Sequence, residues 1–160
     1  MQQIGFVGLG AMGSVMAPLP ARLGFSVIGF DTAPKWPNLT GVKKASSLTD
    51  MATCETIITM LPDGVVVEAV ATSLAEAGFR GLIIDMSSSH PNDTIRLGAI
   101  LAAHGIRLID APVSGGVKKA AVGNLMVMTG GASGDIAAAS ALIACFGTMQ
   151  HVGPLGAGHA

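Results

Sequence analysis

QQIGFVGLGAMG, residues 2–13 of this chain, joins a short apolar run to the pattern G-x-G-x-x-G. This combination predicts a β-strand, a tight turn and the start of a helix. Gly8 would allow the turn, Gly10 would let the backbone approach a pyrophosphate, and Gly13 would let the helix pack close to the strand. Free N–H groups at the helix start would then bind the phosphates of a dinucleotide. The residues predicted to hold the pyrophosphate are Gly8, Leu9, Gly10, Ala11, Met12 and Gly13.

An acidic residue follows the next apolar run, FSVIGF at residues 25–30. Asp31 stands where a carboxylate can accept hydrogen bonds from the ribose hydroxyls of an adenosine. A carboxylate there would also repel a 2′-phosphate, so the residue favours NAD over NADP as the cofactor. Glycines also occur in ordinary turns, and it is their pairing with Asp31 that predicts a dinucleotide site.

The composition indicates one domain, part of whose surface is covered by another domain or subunit. The chain has 160 residues, of which half are hydrophobic and 12% are charged, and its net charge is −1. A chain of this length forms about one domain, and such a charge balance argues against binding to nucleic acid. The longest apolar segment, residues 136–146, is shorter than the roughly 20 residues of a membrane span and predicts a buried or interface helix.

Cysteine and histidine residues give no indication of a metal or redox site. Cys54 and Cys145 lie far apart without C-x-x-C spacing, and we expect both to be reduced and buried, with a reactive thiol as the alternative. His90 and His104 are expected at helix ends, and His159 is expected to be exposed. Reduced cysteines, and an N-terminus without the pattern of a signal peptide, predict a cytoplasmic protein.

Apolar runs alternate with helical patterns along the rest of the chain. Strands are predicted at residues 25–30, 43–45, 56–60, 82–85, 107–110, 125–128 and 148–152. Helices are predicted at residues 11–23, 47–54, 65–74 and 133–146, and from Pro91 onward. This alternation is typical of an α/β, Rossmann-like fold, a doubly wound and mostly parallel sheet with helices on both faces.

Prolines mark the region after the glycine pattern. Pro18 and Pro20 interrupt the first helix, and because each proline removes a backbone donor we expect a kinked or shortened helix there. A surface loop is predicted around Pro34, Pro37 and Asn38. Trp36 in this loop would either cover an adenine or fill a gap in the surface.

Two loops after predicted strands are further candidates for contact with the cofactor, because ligands bind at the carboxyl ends of parallel strands. Leu61 and Pro62 follow the strand at residues 56–60. The serines at residues 87–89 would cap the helix that begins near Pro91 or reach the nicotinamide half of the cofactor, and both roles can hold for different serines.

The segment DAPVSGG follows another predicted strand. Ser114, Gly115 and Gly116 in it would expose successive N–H groups and a hydroxyl, which suits a carboxylate, although a plain turn explains the glycines equally well. Lys118 and Lys119 come next and are expected in a solvated turn rather than in a catalytic role.

Several segments together resemble the cofactor domain of the 3-hydroxyisobutyrate dehydrogenase family. That family also includes tartronate semialdehyde reductase, L-threonate dehydrogenase and, more distantly, 6-phosphogluconate dehydrogenase. The resemblance covers essentially the whole chain, and DAPVSGG is its most specific part. The matching segments are IGFVGLGAMG, the strand that ends at Asp31, MLPD at residues 60–63, Asp85 with its serines and Pro91, DAPVSGG, and GNLMVMTGG.

The resemblance implies a role for each candidate residue. Residues 8–13 would hold the pyrophosphate, Asp31 the adenosine ribose, Leu61 and Pro62 the cofactor along its length, and Ser88 the nicotinamide side. The substrate carboxylate would bind to Ser114, Gly115 and Gly116. The implied reaction is reversible hydride transfer between NAD and a small 3-hydroxy acid, of the 3-hydroxyisobutyrate, tartronate semialdehyde/glycerate or L-threonate type.

The resemblance also implies residues beyond these 160. In the family, a terminal G-x-x-G-x-G is followed by a lysine that acts as general acid and base, and by an all-helical second domain. Gly153, Gly156 and Gly158 match the glycines, and the lysine is expected just after Ala160. Residues 1–160 are thus expected to form an NAD-binding domain without a catalytic residue of its own and with little turnover alone.

The second domain would cover residues 136–146 and join the protein into homo-oligomers. A non-catalytic nucleotide sensor or scaffold on the same fold is the alternative function. A 6-phosphogluconate dehydrogenase is disfavoured by Asp31, since NADP use would favour a nearby arginine instead.

Overall fold

Nine strands form one sheet in the computed structural model, which describes residues 2–33 and 39–160. The expectations for Pro34, Trp36, Pro37 and Asn38 fall outside the described residues. The strands are β1 Gln3–Val7, β2 Ser26–Phe30, β3 Val42–Lys44, β4 Thr56–Thr59, β5 Leu82–Asp85, β6 Arg107–Asp110, β7 Val113–Ser114, β8 Leu125–Gly130 and β9 Gly147–Gly153. Each predicted strand is present within two residues of its predicted bounds, whereas the short β7 is not predicted by the sequence pattern.

Six of the strands run parallel in the order β3-β2-β1-β4-β5-β6. This is the strand order of dinucleotide-binding sheets, and the direction of chain progression reverses between β1 and β4. Beyond β6 the sheet continues with β8, which is antiparallel to β6 and β7 and parallel to β9. The prediction of a doubly wound, mostly parallel sheet is confirmed.

The helices are α1 Gly13–Met16, α2 Pro18–Arg22, α3 Gly64–Glu76, α4 Pro91–Ala102, α5 Gly116–Ala121 and α6 Ser133–Ile143. A short 3-10 helix, Leu48–Met51, replaces the helix predicted at residues 47–54, and Ser47 stands at its N-terminus as expected. The carboxylate of Asp50 accepts hydrogen bonds from the N–H groups of Ser46 and Ser47 there, which closes this turn.

Alternating side chains of the strands build two cores, one on each face of the sheet. Phe6 and Ile58 lie in a core with Met16 of α1 and residues of α6. The neighbouring strand positions Val7 and Ile57 lie in the other core, against α3 and α4. Helices therefore cover both faces of the sheet, as the pattern predicts.

The first helix is broken where its prolines predict. Ala17 separates α1 from α2, and Pro18 begins α2 at a position whose N–H would have no partner within the helix. Pro20 lies in the first turn of α2, where an N–H is again not needed by the helix. The kinked or shortened helix is confirmed, and α1 with the glycine pattern lies before the break.

The structure confirms one alternative for α6 and corrects the expected conformation of Lys118 and Lys119. Ile136, Leu142 and Ile143 of the apolar segment at residues 136–146 are buried against this domain's own sheet, which confirms the buried-helix alternative for α6. Lys118 and Lys119 lie on α5 rather than in a turn, with both side chains exposed. No helix in the described part of the chain has the length and apolar character to cross a membrane.

Candidate functional site

A cavity of about 610 Å³ opens at the carboxyl ends of the strands, beside the reversal between β1 and β4. Its lining comes from the glycine loop (residues 8–13) without Leu9, from the end of β2 with Asp31, and from Leu61 and Pro62 after β4. The Leu9 side chain is buried in the core instead. The structure thus brings together the residues predicted to bind the pyrophosphate, the adenosine ribose and the length of a cofactor. Ser88 and residues 114–116 lie outside this lining.

The surroundings of the three loop glycines meet the steric conditions that their spacing predicts. Gly8 has φ +101°, and a Cβ there would collide with the carbonyl oxygen of Met60. A Cβ on Gly13 would collide with the carbonyl oxygen of Gly8, so only glycine lets α1 start this close to the loop. Among residues 2–33 and 39–160, an added Cβ at Gly10 meets no atom within 4 Å apart from its chain neighbours, because it would point into open space. That open space is where the backbone can receive a pyrophosphate.

The glycine loop presents backbone donors to the cavity. The first bonds of this helical turn run from the Ser14 N–H to the Gly10 carbonyl, at 2.9 Å, and from the Met16 N–H to the Met12 carbonyl, at 3.0 Å. The N–H groups of Gly10, Ala11 and Met12 precede these bonds and have no partner within the turn. Such clustered donors bind phosphate oxygens well.

Asp31 ties the end of β2 to the glycine loop. One oxygen of its carboxylate accepts a hydrogen bond from the Leu9 N–H, and the other accepts one from the Ala33 N–H at 2.7 Å. A carboxylate offers about four acceptor positions, so Asp31 keeps capacity for the two hydroxyls of a ribose. Its half-buried side chain lines the cavity, and a 2′-phosphate placed here would meet a fixed negative charge.

The loop after β4 is held by Ser87, in a role that the sequence does not predict. The Leu61 N–H donates to the Ser87 hydroxyl at 2.8 Å, and this hydroxyl lies 3.4 Å from the Thr59 carbonyl oxygen, to which it donates. Ser87 is buried, whereas the neighbouring Ser88 is exposed and accessible to a ligand. The two loops predicted to contact the cofactor are therefore joined through Ser87.

The serines do not cap the following helix, so that interpretation is wrong. His90 takes the capping position of α4, and its Nδ1 accepts a hydrogen bond from the Asn92 N–H at 3.2 Å. Nδ1 of His104, beyond the other end of the helix, lies 3.1 Å from the Ile100 carbonyl oxygen. The prediction that both histidines lie at helix ends is confirmed.

Residues 114–116 are exposed at the end of β7 and the start of α5. Helix α5 packs against α1, so this segment lies beside the helix that begins at the glycine loop. The hydroxyl of Ser114 and the N–H groups that follow it stay candidates for binding a carboxylate.

The side chain of His159 is buried, contrary to the expectation that it is exposed. Only 1% of its side chain is accessible. Its Nε2 lies 2.8 Å from the Ser87 carbonyl oxygen, and its Nδ1 lies 2.8 Å from the Thr94 hydroxyl. The ring nitrogens are also within 4 Å of two buried carboxylates, those of Asp85 and Asp110.

The glycine tail (residues 153–160) is held by Asp110. The carboxylate of Asp110 accepts hydrogen bonds from the Gly156 N–H at 2.9 Å and from the His159 N–H at 2.8 Å. Asp85 and Asp110 each end an apolar strand. This pattern is the sequence signal for the cluster, because a buried carboxylate needs hydrogen-bond donors and nearby backbone N–H groups supply them.

Burial raises the pKa of the Asp85 carboxyl above its ordinary value, although hydrogen bonds from Ser87 and the nearby His159 oppose the rise. Thr59 donates to this carboxylate at 2.9 Å and Ser89 at 3.3 Å. The carboxylate thus joins β4, β5 and the serine loop beneath the glycine tail.

The two cysteines are free and buried, as predicted. Burial raises the pKa of the Cys54 thiol to about 11 and raises that of Cys145 as well. Both thiols are therefore protonated at neutral pH, which argues against the reactive alternative. Residues 2–33 and 39–160 contain no group of three or more His, Cys, Asp or Glu side chains arranged to hold a metal ion.

Residues 3–153 match the family model of the NAD binding domain of 6-phosphogluconate dehydrogenase. The chain belongs to this family of NAD-binding domains. The glycine loop, with open space at Gly10 and a carboxylate at Asp31, fits the pyrophosphate and ribose of NAD.

Curated relatives confirm the resemblance to 3-hydroxyisobutyrate dehydrogenases. The rat mitochondrial 3-hydroxyisobutyrate dehydrogenase is 37% identical over 97% of this chain and 49% of its own length. The 2-(hydroxymethyl)glutarate dehydrogenase of Eubacterium barkeri is 34% identical over 99% of this chain and 56% of its own length. This chain therefore spans about half the length of the curated relatives it matches.

A solved structure confirms the fold. The 3-hydroxyisobutyrate dehydrogenase of Mycobacterium tuberculosis, determined with L-serine, superposes with a TM-score of 0.92 at 35% identity. The match covers 99% of this chain and 57% of that one. The Rossmann-like prediction thus agrees with the fold of a family member.

Proposed function

We propose that these residues form the NAD-binding half of an oxidoreductase that transfers a hydride between NAD and a small 3-hydroxy acid. The observation that carries this proposal is the cavity in which the glycine loop and Asp31 face the same space. When bound, NAD supplies the hydride acceptor for such a reaction. The protein's part is to bind, to orient and to exclude water.

The names of two relatives, and the L-serine present in the solved structure, indicate the class of substrate. 3-Hydroxyisobutyrate, 2-(hydroxymethyl)glutarate and L-serine all carry a hydroxymethyl group on the carbon next to a carboxylate. We infer that the substrate has this arrangement, which 3-hydroxyisobutyrate and glycerate both fit. Oxidation would convert the hydroxymethyl group to an aldehyde, with the hydride passing to NAD and the hydroxyl proton to a base.

Different residues would bind different parts of the cofactor and the substrate. Asp31 would select the ribose over a 2′-phosphate, and Leu61 and Pro62 would form an apolar wall along the cofactor. Ser88 would contact the nicotinamide side, and the segment at residues 114–116 would bind the substrate carboxylate. The base would be a lysine beyond residue 160, so these residues alone should show little turnover. The cytoplasmic location and the homo-oligomer formed through a second domain also stay predictions.

Calorimetric titration with NADH and with NADPH tests the cofactor site. We expect at least tenfold tighter binding of NADH, and Asp31→Asn should remove most of that preference because it removes the charge that repels the 2′-phosphate. Asp135→Asn, on α6 and away from the cavity, is the matched control and should keep the preference. A folded chain that binds neither nucleotide would overturn the proposed function.

A further inference from the structure

The ring of His159 is fixed on several sides at the carboxyl ends of β5 and β6. Asp85 and Asp110, the last residues of these strands, lie 3.9 and 3.8 Å from its two ring nitrogens. Thr94 of α4 lies against Nδ1 at 2.8 Å. Because these polar contacts surround the ring and only 1% of the side chain is exposed, the ring is held in one orientation.

One hydrogen bond connects this ring to the cofactor loops. Because a carbonyl oxygen only accepts, Nε2–H of His159 donates to the Ser87 carbonyl at 2.8 Å. The hydroxyl of the same Ser87 accepts from the Leu61 N–H at 2.8 Å, and Leu61 lines the cavity. Ser88, the residue expected at the nicotinamide side, is the next residue along the chain.

The glycine tail brings the ring to this place. The Gly156 and His159 N–H groups both donate to Asp110, which begins the segment DAPVSGG. A Cβ on Gly158 would lie 2.6 Å from the Met128 carbonyl oxygen, so the tail passes too close to β8 for a larger residue. The start of the predicted substrate segment and the cofactor loops therefore meet at His159.

We propose that His159 is a positioning residue, which holds Ser87 through its ring and thereby sets Leu61 and Ser88 for the nicotinamide half of the cofactor. The proposal rests on the proposed function. It separates the site into two parts, since the glycine loop and Asp31 do not depend on His159 for their geometry. The adenosine half of a ligand should therefore bind without help from the ring.

The test compares two ligands, NADH and ADP, by calorimetry on the full 160-residue chain. ADP carries the adenosine and pyrophosphate but lacks the nicotinamide half. We expect His159→Leu to weaken NADH binding about tenfold while ADP binding changes less than twofold. His159→Gln, which keeps an N–H donor near the position of Nε2, should restore most of the NADH affinity. His104→Leu removes an exposed histidine outside the cavity lining and should leave both affinities unchanged.

A second variant removes another hydrogen bond in the path from His159 to Leu61. It keeps the proposal testable if His159→Leu does not fold. Ser87→Ala removes the hydroxyl that accepts from the Leu61 N–H but leaves the carbonyl bonded to His159. It should reproduce the selective loss of NADH affinity. Equal losses for NADH and ADP, or no loss with either variant, would overturn the proposal. If the wild-type chain binds ADP but not NADH, the proposal is overturned too, whereas binding neither ligand overturns the proposed function itself.

Discussion

The glycine loop and the glycine tail are both rich in glycine, yet the structure uses the residue in opposite ways. At Gly10 in the loop, an added Cβ would point into open space, so the missing side chain leaves room for a ligand. At Gly158 in the tail, it would lie 2.6 Å from the Met128 carbonyl oxygen and 2.9 Å from Asp110, so the missing side chain leaves room for the protein itself. A glycine thus indicates a binding site only when the space beside it is empty.

The largest expected effect is on ligand binding at the loop. Gly10→Val fills the space reserved for the pyrophosphate, so we expect NADH affinity to fall about 100-fold, or about 2.7 kcal/mol. Since no atom of the described residues other than its chain neighbours lies within 4 Å of the new Cβ, the free energy of unfolding should change by less than about 0.5 kcal/mol. Calorimetry and urea unfolding measure the two quantities. A large loss of stability would show that the loop is packed like the tail.

The next effect should fall on stability at the tail. Gly158→Ala places a methyl group against Met128, Asp110 and Pro112, and overpacking of this kind costs about 1–3 kcal/mol. Urea unfolding should show a loss of about 2 kcal/mol, and ADP affinity should stay within twofold because the glycine loop is untouched. Unchanged stability would contradict the tight packing of the tail.

The smallest expected effect is on the pH dependence of stability, through the buried Asp85 carboxyl beneath the tail. Burial raises the pKa of the Asp85 carboxyl above its ordinary 3.8, so the folded chain holds a proton that the unfolded chain releases. The contribution of Asp85 to the unfolding free energy of the wild type therefore falls as the pH rises above 3.8. It levels off once the pH exceeds the raised pKa of the folded state.

Asp85→Asn removes that proton equilibrium while keeping the size of the side chain. The unfolding free energy of the variant relative to wild type should increase over this pH window, by about 1.4 kcal/mol for each unit of the rise in pKa. Urea unfolding of both proteins between about pH 4 and pH 7 measures the difference. A difference that is constant with pH, or that decreases, would contradict a raised pKa.

Local sequence patterns predicted most of the fold and most of the residues that line the cavity. The apolar runs set the strands, the spacing of Gly8, Gly10 and Gly13 set the loop, and Asp31 followed from its place after β2. Pro18 and Pro20 also predicted a break in the first helix, because a missing backbone donor is a local property.

Contacts between distant parts of the chain were not predictable in this way. His159 meets Thr94 and Ser87, which precede it by 65 and 72 residues, and no periodicity in the sequence pairs them. The glycines around His159 suggested an exposed end, whereas they allow close packing. The role of Ser87 was missed for the same reason, since its partner Leu61 lies on another loop.

Residue-resolved hydrogen exchange, measured by NMR with and without saturating NADH, tests the contrast between loop and tail most directly. The N–H groups of Gly10 and Ala11 should exchange rapidly in the free chain and gain protection when NADH is bound. The N–H groups of Gly156 and His159, which donate to buried Asp110, should be protected in both states. The contrast between loop and tail would be contradicted if the loop amides gained no protection from NADH, or if the tail amides exchanged rapidly without it.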